Sequence, residues 1–345
     1  MTEKINVMIT FRLEQEYIDE IKNVDQRVNL LYDPSLMGFP RYQSHHVGFI
    51  SGTPDQEKRW IEMMSQADVI FGYISSSYAK KLDKIAPKLK WVQSPSTGIG
   101  QMVKRSGLSD SDIIFTTAGG VHSRPLAEFC VMAMLMYIKD SFRMERGKQA
   151  KYWERYCGRE LYGKTLAVIG LGRTGQQLAK LSTCIGMRVI GTKRNTKGID
   201  PSSLGVDNLY PWTDLEQMLS QADFVALCVP HTDETTKLIG EKELLAMKRG
   251  SMLINVARGI IVDQPALVKA LRSGHLGAAA LDVSIPEPLP ADNPLWDMPN
   301  VIISPHSAST ADTENKKLTA LFCENLKRFI EGKPLKNILD KTLLY

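Results

Sequence analysis

Three residues of different chemistry follow three successive apolar runs in the last third of the sequence. Arg258 comes just after Ser251–Val256, Glu287 after Ala278–Val283, and His306 after Val301–Ser304. If those runs are strands of one parallel sheet, all three side chains stand at its carboxyl edge, where an open α/β sheet forms its ligand crevice. An arginine there can hold a carboxylate and polarise a carbonyl through charge-assisted hydrogen bonds. A histidine can give a proton to an oxyanion as it forms, and a carboxylate on the other ring nitrogen fixes the imidazole tautomer. Any one of the three alone reads as an ordinary structural group. Together they are the parts that reduction of a 2-oxo acid requires.

The hydride donor for such a step has its own signature. Gly170-Leu171-Gly172-Arg173-Thr174-Gly175 matches G-x-G-x-x-G, directly after the apolar run Leu166–Ile169 and at the opening of a helical stretch. That is the setting the dinucleotide fingerprint needs. Gly170 permits the tight turn, Gly172 lets the backbone approach a pyrophosphate, and Gly175 lets helix and strand pack closely. The competing reading is a plain strand–turn–helix glycine cluster. An NAD site normally places Asp or Glu at the end of the next strand. Here Met187–Thr192 runs into Lys193-Arg194, with no acid nearby in the sequence. Two cations suit the 2′-phosphate of NADP, so NADP(H) is the expected preference, NAD(H) remaining an option. Against it stands the reading of two solvated loop cations with loose selectivity.

The elements that must position these groups are legible as alternations. Short runs rich in Val, Ile and aromatics occur at Ile5–Phe11, Arg27–Tyr32, Val69–Ile74, Lys90–Gln93 and Ile113–Thr117, with polar helical stretches such as Asp55–Gln66 between them. A cleaner series follows at Leu166–Gly170, Met187–Thr192, Phe224–Pro230, Ser251–Val256, Ala278–Val283 and Val301–Ser304. Helical stretches Thr174–Ser182, Asp214–Ser220 and Gln264–Leu271 separate several of them. Buried parallel strands joined by crossover helices produce this pattern. The expected fold class is therefore α/β, a Rossmann-type doubly wound nucleotide domain plus a smaller α/β domain. Between the two series, apolar residues from Leu126 to Tyr137 cover nearly every face of a helix, which predicts burial nearly all round, between domains or at a subunit interface. The tail, Asp312–Ile330, reads as an amphipathic helix with no strand after it.

Composition narrows the class. With 345 residues, two domains are the natural expectation, and 43% hydrophobic with 23% charged residues is ordinary globular composition. A net charge of +5 without a basic run gives no support for nucleic-acid or membrane partners and suits a small anionic substrate. The five cysteines are scattered, with no C-x-x-C pair. Four sit in apolar surroundings and read as reduced core thiols, Cys157 being the least buried by this reading. Met1 to Thr10 lacks a basic-then-apolar leader, and the longest apolar run, Leu126–Ile138, is too short to span a bilayer. A cytoplasmic protein is expected.

Four ordered motifs resemble the D-isomer-specific 2-hydroxyacid dehydrogenases, in the glyoxylate/hydroxypyruvate reductase manner. They are Gly170–Gly175, Ile254-Asn255-Val256-Ala257-Arg258-Gly259, Leu281-Asp282-Val283 through Glu287-Pro288-Leu289, and Ser304-Pro305-His306-Ser307-Ala308. Glu160-Leu161 with Gly163-Lys164-Thr165, and Ala127-Glu128-Phe129, are similar too, so the resemblance spans nearly the whole chain. It implies hydride transfer between NAD(P)(H) and a small D-2-hydroxy acid or its 2-oxo acid, with Arg258 on the substrate, His306 as acid/base and Glu287 as its partner. It implies cofactor contacts from Arg173, Thr174, Val229, Pro230, Val256, Ala257, Asp282 and Ala308 as well. Thr97 and Gly98, within Ser96–Gly100, would cradle the substrate carboxylate. The implied fold is split: a flavodoxin-like substrate domain from 1–120 and the returning tail 307–345, with 121–306 as the NAD(P)-binding domain. A homodimer built around the Leu126–Tyr137 helix is implied. Departures at Gly100 (commonly Asp), Ser309 (often Gly) and His231 (commonly Leu) bear on substrate range and not on the reaction.

Other readings remain at this stage. A nucleotide-sensing corepressor would use the glycine loop but leave Arg258, Glu287 and His306 unexplained. A formate-type dehydrogenase would carry an amide in place of Glu287. A phosphoglycerate dehydrogenase is compatible, although the chain ends too soon for an added regulatory domain. The segment Arg41-Tyr42-Gln43-Ser44-His45-His46 reads either as a substrate-selecting loop or as plain surface. His45-His46 has no carboxylate or cysteine at ligand spacing, so no metal is expected.

Overall fold

Apolar runs alternating with amphipathic stretches fold here as parallel strands and crossover helices. The computed structural model describes residues 4–49 and 52–345, so the first three residues of the N-terminal reading lie outside it. The chain divides into two units, Met1–Val121 with Thr310–Tyr345, and His122–Ser309.

The first unit holds strands β1 (Ile5–Ile9), β2 (Val28–Leu31), β3 (Val69–Phe71), β4 (Trp91–Gln93) and β5 (Ile114–Thr116). They form a parallel sheet in the order β2-β1-β3-β4-β5, the flavodoxin-like order. The helix Pro54–Gln66 starts where it does because Thr53 and Gln56 form a capping box, each side chain accepting the other's backbone N–H. The tail forms a helix, Glu314–Ile330, whose Phe322 stacks on Phe71 with ring centroids 4.3 Å apart and on Trp91 at 5.3 Å. That apolar seam is what returns the C-terminal segment to this sheet.

The second unit holds β6 (Thr165–Ile169), β7 (Arg188–Thr192), β8 (Asn208–Tyr210), β9 (Phe224–Leu227), β10 (Ser251–Asn255), β11 (Leu276–Leu281) and β12 (Val301–Ile303). The sheet is parallel, in the order β12-β11-β10-β9-β6-β7-β8. Strand order reverses between β9 and β6, which is the switch point where a doubly wound sheet opens a crevice at its carboxyl edge. Every residue of β6, β9 and β10 is buried. Both faces of this sheet are covered, by one apolar cluster that includes Ile169, Leu227 and Leu253 and another that includes Val168, Ala226 and Ile254.

Four expectations are corrected. Six strands are expected in the second series and seven form; β8 is a three-residue edge strand too short and too polar to show as an apolar run. Within the single chain the helix spanning Ser123–Ile138 is not buried nearly all round, for Met132 and Leu135 are 44% and 42% exposed. Its other face, with Ala127, Cys130, Ala133 and Met134, is fully buried. All five cysteines are free thiols, but Cys184 joins Cys157 as exposed, because it falls on the outer face of the last turn of the helix Arg173–Cys184.

The fourth concerns the loop at 41–46, which is more than plain surface. The His46 side chain is 6% exposed; its Nε2 lies 2.8 Å from Asn315 Oδ1 and its Nδ1 3.8 Å from Glu314 Oε1. Gln43 and Ser44 donate to the carbonyls of Asp312 and Ala311. The loop thus clasps the start of the C-terminal helix. A carboxylate does stand beside His46, but from the far end of the chain. Among the described residues no group of three or more His, Cys, Asp or Glu could hold a metal ion, and no helix is long and apolar enough to cross a membrane.

Candidate active site

The carboxyl ends of β10, β11 and β12 are adjacent in the sheet, and each launches one of the three chemistry-bearing residues. After β10 the chain turns sharply. Asn255, 1% exposed, takes the Ala257 amide on its Oδ1 at 3.0 Å and donates its Nδ2 to the Arg258 carbonyl at 3.0 Å. This side chain shapes the loop that presents Arg258. Arg258 itself is partly buried, and its Nη1 donates to the Ala257 carbonyl at 2.7 Å. Sequence reasoning gave Asn255 no role, although an amide at a strand end, three residues before an arginine, carries the signal.

The Arg258 loop then packs on the Glu287 loop. A Cβ on Gly259 would stand 2.0 Å from the Ser284 carbonyl oxygen, so backbone meets backbone at a distance only glycine allows. Ser284 in turn gives its amide to Glu287 Oε1 at 3.1 Å. The other carboxylate oxygen, Oε2, lies 2.9 Å from His306 Nδ1. Glu287 is therefore held from behind by a backbone N–H while it holds the imidazole in front. With Nδ1–H donated to a carboxylate, the imidazole turns Nε2 toward whatever lies before it. The side chains of Glu287 and His306 are 39% and 43% exposed, as a pair facing an open crevice must be.

His306 has a backbone φ of +54°, a conformation that costs an ordinary L-residue about 1–2 kcal/mol. The loop carries this through Asp282, which is 2% exposed. Its carbonyl accepts the His306 amide at 2.8 Å, and its Oδ1 accepts both Ser304 Oγ at 2.7 Å and the Ala308 amide at 2.8 Å. Asp282, expected only as a cofactor contact, clamps the histidine loop.

The glycine loop leads from β6 into the helix Arg173–Cys184. Gly170, at φ +101°, abuts Cys228 and Val229, and a Cβ on Gly175 would lie 2.1 Å from the Gly170 carbonyl oxygen. Gly172 differs: a Cβ there would meet nothing within 4 Å. The loop is open on one face, and Gly172, as N-cap, leaves the first-turn N–H groups without a side-chain cap. An open glycine face at an uncapped helix N-terminus fits a pyrophosphate. Val229, Val256 and Ala257 are buried, Arg173 and Pro230 exposed, and Thr174 donates to Ser123 Oγ at 3.4 Å. The thiol of Cys228, before Val229, is pushed up to about 12 by burial.

Lys193 and Arg194 follow β7 as expected, but the statement that no acid is nearby holds only along the sequence. Glu234 Oε1 lies 2.9 Å from Arg194 Nη2, brought there by the loop after β9. Thr97 and Gly98 belong to the other unit, exposed on the loop between β4 and the helix Gly100–Arg105. Gly100 has a packing reason: a Cβ there would stand 2.0 Å from the Leu344 carbonyl oxygen. His231 places Nε2 3.1 Å from Thr236 Oγ1.

The chain is similar to known proteins along most of its length. A family model described as D-isomer specific 2-hydroxyacid dehydrogenase, NAD binding domain, matches residues 131–308. The glyoxylate reductase of Korarchaeum cryptofilum (strain OPF8) is 32% identical over 297 residues, 84% of this chain and 88% of that one. A solved D-isomer specific 2-hydroxyacid dehydrogenase from Xanthobacter autotrophicus Py2, in complex with NADPH and MES, is 27% identical, with a TM-score of 0.79 covering 100% of both chains. An NADPH-dependent glyoxylate/hydroxypyruvate reductase from Sinorhizobium meliloti, in complex with NADP and sulfate, is 25% identical, with a TM-score of 0.77 over 99% of this chain and 100% of that one.

Proposed function

The chain belongs to the D-isomer specific 2-hydroxyacid dehydrogenase family, and from that premise we propose that it reduces a small 2-oxo acid, glyoxylate or hydroxypyruvate in the first instance, to the 2-hydroxy acid. It is an NAD(P)-dependent dehydrogenase; the preference for NADP(H), the substrate and the residue roles are our reading. The observation that carries it is the 2.9 Å contact between His306 Nδ1 and Glu287 Oε2 at strand ends beside the Arg258 loop.

In this reading Gly170–Gly175 would hold the pyrophosphate of a reduced nicotinamide nucleotide, which would supply the hydride when bound. Arg258 pairs with the substrate carboxylate and polarises the 2-oxo group toward attack. His306 gives the proton from Nε2 to the carbonyl oxygen as it takes on charge, so one hydride and one proton convert the 2-oxo group to an alcohol. Glu287 stabilises the cationic imidazole and fixes its tautomer. Asp282, Asn255 and Gly259 position these groups without touching the substrate.

The exposed apolar stripe of Met132 and Leu135, with Met144 at 48% and Trp153 at 95% exposure, supports a homodimer. Five unpaired thiols support a cytoplasmic setting. A panel of 2-oxo acids, each assayed with NADPH and with NADH, tests the reading. Oxidation of NADPH by glyoxylate or hydroxypyruvate is expected. Activity with no 2-oxo acid in the panel would overturn it.

A further inference from the structure

The strand end that should report on the adenosine ribose carries two cations and no acid, but the fold supplies the acid from elsewhere. Arg194 stands at the end of β7 and Glu234 in the turn Asp233–Thr235 after β9; their side chains meet at 2.9 Å. In the sheet, β6 lies between β9 and β7. The ion pair therefore reaches across the carboxyl end of the strand that carries the glycine loop. The two loops it joins are the same two that grip that loop: Thr192 accepts the amides of Gly170 and Leu171, and Cys228 and Val229 pack against Gly170.

Glu234 is also presented by a built turn. Thr235, 7% exposed, donates its hydroxyl to the Pro230 carbonyl at 2.8 Å and accepts the Thr232 amide at 2.8 Å. The turn that carries Glu234 is thus fixed, and its carboxylate meets Arg194. Its charge opposes the one function that would give a pair of cations at this strand end their use.

We propose that Glu234 is the residue that sets nucleotide selectivity, by competing with the 2′-phosphate of NADP(H) for Arg194. With a 2′-hydroxyl the pair can stay as it is. With a 2′-phosphate dianion, Arg194 must exchange one anion for another beside a carboxylate that remains close. NADP(H) preference is thereby held below what Lys193 and Arg194 alone would give, and the chain keeps the use of both nucleotides. This inference rests on the proposed NADP(H) preference of the same site.

The test is a titration of full-length protein with NADPH and with NADH, followed by nicotinamide fluorescence, for wild type, Glu234→Gln, Arg194→Ala and the double variant. Both side chains are more than half exposed, so neither substitution removes packing. Glu234→Gln is expected to shift the NADH/NADPH dissociation-constant ratio about three- to fivefold toward NADPH, the upper end of the scale for losing one exposed charge contact. In the Arg194→Ala background the same change is expected to shift the ratio less than about twofold, since the cation that Glu234 pairs with is gone. A ratio unchanged by Glu234→Gln would overturn the inference. So would an equal shift with Arg194 absent, which would make Glu234 a direct repeller of phosphate. Wild-type binding of NADH tighter than that of NADPH would overturn the stated preference, while the double-variant comparison would still judge Glu234.

Discussion

Asp282 holds His306 by its backbone: the Asp282 carbonyl accepts the His306 amide at 2.8 Å, while Asp282 Oδ1 gathers Ser304 Oγ and the Ala308 amide on either side. The left-handed conformation of His306 persists because these bonds over-determine it. Replacing Asp282 with alanine strips two acceptor bonds from a buried loop, a cost of about 1–3 kcal/mol. We expect kcat to fall about tenfold or more and the melting temperature to drop. Asp282→Asn keeps an oxygen at the same place and should recover most of both. Equal damage from Ala and Asn in steady-state assays and thermal melts would contradict the clamp.

Gly259 tests whether the Arg258 and Glu287 loops depend on close approach. The 2.0 Å that a Cβ would leave to Ser284 O cannot be absorbed by a flexible side chain, because the obstacle is backbone. Gly259→Ala should force the loops apart and lower kcat/KM about a hundredfold, a displacement of about 1 Å being enough. Wild-type kcat/KM in this variant would remove the loop contact from the account.

The strand ends were legible because parallel strands covered on both faces read as nearly continuous apolar runs. The runs at Ser251, Ala278 and Val301 place Arg258, Glu287 and His306 on three consecutive strand ends, and the sheet makes those ends adjacent. β8 was not legible: Asn208-Leu209-Tyr210 is an edge strand with one exposed and two half-buried residues. Neither was the Arg194–Glu234 pair, whose partners lie 40 residues apart and meet only because β6 inserts between their strands. The roles of Gly259 and of His46 depend on which segment arrives opposite them, Ser284 in one case and Glu314 in the other. Local patterns carry no trace of that. The helix Ser123–Ile138 erred the other way: its sequence is apolar on every face, and the stripe left bare by one chain is visible only in three dimensions.

That stripe gives a third prediction. Leu135→Asp puts a charge on the exposed apolar face and should convert a dimer to monomers in sedimentation equilibrium, with the unit's own fold intact by circular dichroism. A wild-type protein that sediments as a monomer at micromolar concentration would contradict the homodimer.

The cysteines give a fourth. Burial pushes the thiols of Cys228 and Cys323 up to about 12 and that of Cys130 well above the usual range. The sign is simple: a raised thiol pKa keeps the neutral form at working pH, and only the thiolate reacts. At about pH 8, a thiol with a pKa of about 12 is ionised in about one molecule in ten thousand. Maleimide labelling of the native protein, read by peptide mass spectrometry, should mark exposed Cys157 and Cys184 first. Cys228 labelling as fast as Cys157 would show the loop after β9 to be open.

The central claim is that His306 delivers the proton while Glu287 steadies it, with the glycine loop as the nucleotide's separate anchor. The most direct measurement compares wild type with His306→Ala for NADPH oxidation by glyoxylate or hydroxypyruvate, alongside NADPH binding by fluorescence. The account predicts that turnover falls about a hundred- to ten-thousandfold while NADPH binds with near wild-type affinity. Turnover within a few-fold of wild type would contradict it.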